Sequence, residues 1–163
     1  MSIRLATIDD LGSIVGIYNA SIPARMATAD TQPVSVESRT AWFEQHSPER
    51  HPLWVAEVEG TVAAWLGLTA FYGRPAYAHT AEVSLYVDPD QQRRGLGSAL
   101  LSHAVAQAPG LEIETLLAFI FAHNSPSLVL YSRYAFARWG TLPHVAVLDG
   151  VRRDLLILGR SVV

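Results

Sequence analysis

The stretch Val83-Ser84-Leu85-Tyr86-Val87-Asp88-Pro89-Asp90-Gln91-Gln92-Arg93-Arg94-Gly95-Leu96-Gly97-Ser98-Ala99-Leu100-Leu101 decides the fold. Val83 to Val87 reads as the end of a strand, and Asp88-Pro89-Asp90 stops it. Two arginines and two glycines then open a helix whose apolar residues begin at Leu96. Backbone N–H groups at a helix start have no partner inside the helix, and the helix dipole adds partial positive charge there. Gly95 and Gly97 let an anion approach that backbone with no Cβ in the way. Arg93 and Arg94 supply further charge. A strand–loop–helix junction of this kind suits a pyrophosphate. Two other phosphate loops fail on detail. A P-loop needs a lysine, and this chain has none. A dinucleotide fingerprint needs a third glycine, and Leu100 stands in its place.

Working outward, Ile3 to Ala6 reads as a first strand, and Leu11, Ile14, Val15 and Tyr18 recur at helical spacing over Asp9 to Ala20. Ser21 to Pro33 is a loop. Ser35, Glu37 and Ser38 open a second helix that carries Trp42 and Phe43 and ends near His46. Leu53–Val58 and Thr61–Phe71 are strands joined at Glu59-Gly60. Ala78–Val87 is the strand of the decisive stretch, followed by the helix Leu96–Ala108. Ile113–Phe121 is a strongly apolar strand, and a helix then runs from Ser125-Pro126 to about Tyr134. Trp139–Val147 and Arg152–Leu158 are strands joined around Asp149-Gly150. The order β-α-α-β-β-β-α-β-α-β-β predicts an α/β (α+β) fold over 1–163. It forms a single domain, one mixed twisted sheet of about seven strands with helices on both faces.

Composition narrows the chemistry. Half of the 163 residues are hydrophobic and 17% are charged, which suits a folded core. There is no cysteine, which removes disulfides, thiolate metal sites and a cysteine nucleophile. All 12 basic residues are arginines, so lysine chemistry is absent. Twelve arginines against 15 acids leave a net charge of −3, against a nucleic-acid partner. The six histidines form no metal-binding spacing, so no metal is expected. No apolar run is long enough to span a membrane, and the start of the chain does not read as a secretory signal, so a cytoplasmic protein is expected.

Gln92-Arg93-Arg94-Gly95-Leu96-Gly97 resembles the Q/R-x-x-G-x-G/A signature of the GCN5-related N-acetyltransferases, at the strand–loop–helix junction where that GNAT family carries it. The element order agrees over essentially the whole chain. Ile3–Thr7, Trp54–Gly60, Ala81–Val87 and the C-terminal helix further resemble the phosphinothricin and methionine sulfoximine/sulfone acetyltransferase branch. The resemblance implies a GNAT fold, acetyl-CoA as co-substrate, a small amine as acceptor and a homodimer.

It also assigns residues. Gln92, Arg93, Arg94, Gly95, Leu96, Gly97 and Ser98 would bind the pyrophosphate of acetyl-CoA. Leu85, Tyr86 and Val87, on a strand that splays from its neighbour, would hold the pantetheine arm and thioester. Asn124 and Ser127 match a family N-x-x-S motif. With Ser125 as N-cap, the Asn124 side chain would be free for the pantetheine amides. Tyr131, four residues beyond Ser127, would protonate the departing thiolate, although the phosphinothricin branch often has histidine there. Ala135 stands where the family more usually has glycine. Glu82 is the candidate general base. Asp88 and Asp90 are turn and capping residues. Acceptor contacts are expected at Arg74, Pro75, Ala76, Tyr77 and His79, with Arg74 pairing with a carboxylate. Two rival readings share the fold: a protein N-terminal or ribosomal-protein acetyltransferase, and a non-catalytic acyl-CoA-binding module.

Overall fold

The computed structural model describes residues 1–163. Seven strands form one mixed sheet: β1 (Ser2–Leu5), β2 (Leu53–Val58), β3 (Thr61–Ala70), β4 (Thr80–Val87), β5 (Thr115–Phe121), β6 (Ala137–Leu148) and β7 (Val151–Ser161). Their order across the sheet is β1-β2-β3-β4-β5-β7-β6. Only β4 and β5 run parallel; every other neighbouring pair is antiparallel. Four helices complete the fold: α1 (Leu11–Ser21), α2 (Thr40–Glu44), α3 (Leu96–Gln107) and α4 (Ser125–Arg133).

The hydrophobic spacing of the chain divides the helices between the two faces. On α3, Leu96, Leu100, Leu101 and Ala104 form one buried stripe. That stripe packs on Ala64, Leu66, Leu68, Ala81 and Val83 in the larger of two cores, with Leu128 and Leu130 of α4 against its margin. On the opposite face, Ile14 and Ile17 of α1 meet Leu53, Val55 and Trp65, with Trp42 and Phe43 of α2 packed alongside. Strand alternation sorts the residues: Ala64, Leu66 and Leu68 face α3, while Trp65 between them faces α1.

Both predicted hairpin turns form. Glu59 and Gly60, and again Asp149 and Gly150, have positive φ at both central positions, the conformation a two-residue hairpin requires. The edge strand β1 is pinned by Arg4. Its guanidinium bonds both carboxylate oxygens of Asp10, at 2.8 and 2.9 Å, and also Glu57. The second helix is much shorter than the spacing predicts. Val34 uses both its N–H and its C=O on the Asn19 side chain, which fixes the chain before the helix. A short 3₁₀ turn at Glu37–Arg39 then leads into α2.

Candidate active site

The parallel pair β4–β5 is in register for three residues only, Thr80–Glu82 against Thr115–Leu117. Beyond Glu82 the two strands part, so Val83 to Val87 have no β5 partner along that edge. A cavity of about 380 Å³ opens in the gap. Glu82, Leu85, Tyr86, Asn124, Ser127 and Tyr131 all line it. Glu82 and Tyr131, 49 residues apart in sequence, share one space because α3 lifts the chain from the end of β4 to the start of β5.

Glu82 stands on β4 opposite Thr69 of β3. It is half-buried and has no charged partner, so burial raises its pKa above the ordinary glutamate value. Such a carboxylate takes up a proton more readily than an exposed one. Tyr131 is buried at 4% exposure, and its ring packs edge-on against Phe136. Burial, with Tyr86 and Glu82 nearby, pushes its phenol well above the ordinary tyrosine range. Its hydroxyl therefore keeps its proton at any physiological pH.

One local expectation is corrected. Asn124, not Ser125, is the N-cap of α4, and its side-chain oxygen accepts from the Ser127 N–H at 3.3 Å. Its amide NH₂ donates to the Met26 carbonyl at 3.1 Å. The Asn124 side chain is thus committed. Asparagine caps as well as serine does, and while its oxygen accepts at the cap its NH₂ donates to the loop. Two further bonds hold that loop: Tyr86 Oη donates to the Ala27 carbonyl at 3.2 Å, and His123 Nε2 lies 2.8 Å from the Arg25 carbonyl. Met26 to Ala29 so become one wall of the cleft, and Val145 and Ala146 of β6 form another part. Sequence periodicity carries no sign of either.

Gln92, Arg93, Arg94 and Gly95 are exposed at the end of β4. Asp88 accepts from the Asp90 N–H at 2.9 Å and shapes the turn before them. Gly95, at φ +78°, is the N-cap of α3, and no side chain caps the helix. The first N–H groups of α3 remain available to an anion. The two glycines act differently. A Cβ at Gly95 would meet nothing, whereas one at Gly97 would lie 3.3 Å from Leu130 and 3.6 Å from Val87. Gly97 lets α3 press on the splayed strand and α4. Ser98 spends its hydroxyl on Tyr134 Oη.

The predicted acceptor residues are not brought into this cleft. Arg74, Pro75, Ala76, Tyr77 and His79 are all exposed on the β3–β4 loop. Nδ1 of His79 lies 2.7 Å from the Glu112 carbonyl. A second cavity, of about 180 Å³, adjoins the cleft through Ser84 and Tyr86 and is lined by residues of α1, α2 and β3.

A family model described as acetyltransferase (GNAT) family matches residues 14–136. The chain is 53% identical over 162 residues, 99% of each chain, to YwnH of Bacillus subtilis strain 168, which is provisionally named a phosphinothricin acetyltransferase. It is 32% identical to the L-amino acid N-acyltransferase MnaT of Escherichia coli K12, over 97% of this chain and 92% of that one. Among solved structures it superposes, with a TM-score of 0.92 at 28% identity, on a GNAT superfamily phosphinothricin acetyltransferase from Sinorhizobium meliloti in complex with AcCoA. That match covers 98% of this chain and 87% of the other. The signature at Gln92–Gly97, the splayed parallel strands and these likenesses agree: the chain belongs to the GNAT acetyltransferase family.

Proposed function

We propose that the chain transfers an acetyl group from acetyl-CoA to the amine of a small molecule, an amino acid or an analogue of the phosphinothricin or methionine sulfoximine type. The observation that carries this reading is the splay of β4 from β5, with Glu82 and Tyr131 lining the cleft it creates. The pyrophosphate would rest on the start of α3, between Gln92 and Ser98. The pantetheine arm would run along Leu85, Tyr86 and Val87, whose edge has no strand partner. Asn124 and Ser127 shape the wall at the start of α4.

Both substrates bind together. Glu82 takes the proton of the acceptor ammonium, directly or through water, and the neutral amine nitrogen attacks the thioester carbonyl. A backbone N–H on the open edge of β4 stabilises the oxyanion. The C–S bond then breaks, the CoA thiolate receives a proton from Tyr131, and the second proton leaving the nitrogen as the amide forms restores the tyrosine, directly or through water. No acyl-enzyme is involved, in keeping with a chain that has no cysteine. One N-acetyltransferase domain over 1–163, a cytoplasmic location and a homodimer built on the exposed strand β6 belong to the same reading.

Glu82→Gln tests the mechanism. Single-turnover acetylation near neutral pH should fall by roughly 10²-fold or more, while acetyl-CoA affinity measured by calorimetry stays unchanged. Equal single-turnover rates would remove Glu82 from the reaction. A panel of amino acids, amino-acid analogues and short peptides, read by CoA thiol release, separates a small-molecule enzyme from a protein N-terminal acetyltransferase. Acetyl-CoA binding with no thiol release on any amine would leave a non-catalytic module.

A further inference from the structure

Ser98 and Tyr134 stand where α3 and α4 meet on one face of the sheet. Cδ2 of Leu130 lies 3.3 Å from the place a Cβ of Gly97 would take, so the missing side chain lets α4 come up against the first turn of α3. Tyr134 lies one turn beyond Leu130 and projects from the same side of α4. Its Oη meets Ser98 Oγ. The backbone holds it there. Tyr134 N–H donates to the Tyr131 carbonyl at 3.0 Å, and the Tyr134 carbonyl accepts from the Arg160 guanidinium of β7.

Ser98 is the third residue of α3. The helix ladder starts one residue later, where Ala99 N–H donates to the Gly95 carbonyl at 2.9 Å. The N–H groups of Leu96, Gly97 and Ser98 therefore have no partner within the helix. A serine in a helix can return its hydroxyl proton to a carbonyl three or four residues back. Ser98 does not, and its hydroxyl bonds Tyr134 alone.

Two hydroxyls carry two protons, and the bond between them uses one. The other is left to donate beside the three open N–H groups. Ring conjugation makes a phenol the better donor and the poorer acceptor of the two. An ionised phosphate oxygen accepts more strongly than a neutral hydroxyl, so the better donor goes to the phosphate. Accepting from Ser98 polarises the phenol and strengthens that donation.

Resting on the acetyl-transfer reading above, which sets the pyrophosphate on the start of α3 through the Gln92–Gly97 signature, we propose that Tyr134 is a further residue for the acetyl donor. Its Oη–H binds a pyrophosphate oxygen of acetyl-CoA, and Ser98 is the positioning residue, donating to the same Oη. Ser98 thus gives the phosphate its backbone N–H and gives its hydroxyl to the tyrosine.

The probe is CoA, and no acceptor is needed. Calorimetry gives its Kd and stoichiometry, and phosphorus NMR separates the bound pyrophosphate from the ribose phosphate. Tyr134→Phe keeps the ring and removes one hydroxyl. It should weaken CoA about tenfold, in line with one hydrogen bond to a charged group. Ser98→Ala should weaken CoA about threefold. The double variant should be no weaker than Tyr134→Phe, because the serine acts through the tyrosine. The bound pyrophosphate resonances should move in Tyr134→Phe while that of the ribose phosphate stays. Calorimetric stoichiometry reads the folded fraction of each variant, and Kd is independent of that fraction. Unchanged affinity in Tyr134→Phe, a larger loss in Ser98→Ala than in Tyr134→Phe, losses that multiply in the double variant, or a displaced ribose phosphate resonance would overturn the proposal and leave the pyrophosphate on α3. Wild-type pyrophosphate resonances that do not move on binding would overturn that placement, and the proposal with it.

Discussion

Burial gives Glu82 two opposed consequences, and both can be measured. As a base it must be ionised to work, so its raised pKa places the acid limb of the rate above the ordinary glutamate range. Glu82→Gln should lose that limb. For stability the sign is the reverse of the usual ion-paired acid. The folded state binds the proton more tightly than the unfolded state, so stability declines as pH rises from the unfolded pKa through the folded one. Glu82→Gln should therefore be more stable than wild type at pH 7, and the gain should shrink toward pH 4. Urea unfolding at both values reads it, and a gain independent of pH would disprove the desolvation argument. Glu82 and Tyr131 could be named from the sequence through the family patterns they match, and both line the cleft. The wall from Met26 to Ala29 could not, because it reaches the cleft only through bonds from Tyr86, His123 and Asn124, which the fold alone brings to it. Asn124 was legible as a site residue but not in its bonding, which needs Met26, 98 residues away.

Among the elements, β2 follows the sequence pattern to the residue, and β3 and α3 to within one residue at one end, because hydrophobic period and turn chemistry agree there. The end of α4 is a conflict that the protein tolerates. Phe136 N–H bonds the Tyr131 carbonyl at 3.2 Å and Ala135 N–H bonds that of Ser132 at 3.2 Å, which is the paired pattern of a Schellman cap. The Phe136 and Tyr131 rings add the apolar contact that accompanies it. The pattern requires a left-handed residue at 135, and alanine fills it at φ +61°. Glycine has no Cβ penalty there, although it frees the unfolded chain somewhat. Ala135→Gly should therefore stabilise the protein, by about 0.5–1 kcal/mol once both effects are counted. A higher urea midpoint at constant m-value is the expected reading. Because the cap fixes the turn that carries Tyr131, the substitution should leave acetyl-CoA affinity as it was. A lower midpoint would mean that the Ala135 methyl makes a contact worth more than its strain.

At the scale of the whole molecule, β6 is the feature that one chain leaves unfinished. It is a twelve-residue strand at the edge of the sheet, with one side unpaired. Trp139, Val145 and Val147 are each more than half exposed along it. Long, apolar, unprotected edges invite association, and monomeric proteins blunt them with charge or proline. β6 has a proline at 143 and two breaks in register, yet its apolar side chains remain in solvent. A twofold pairing of β6 with its copy would cover them, and an interface of ordinary size buries on the order of 1,600 Å² in total. Light scattering at micromolar concentration should then find twice 17.8 kDa. Val147→Asp is the variant that separates this from loss of folding. Position 147 pairs with Arg152 on β7, so an aspartate there meets a favourable cross-strand partner in the monomer and a desolvated charge in the dimer. Its mass should fall to that of one chain while its circular dichroism matches wild type. Val145 and Ala146 also line the cleft proposed to hold acetyl-CoA, so release of the partner should weaken acetyl-CoA binding if pairing holds β6 in place. A wild-type mass of one chain would reject the dimer. A dimeric Val147→Asp protein would move the interface away from β6.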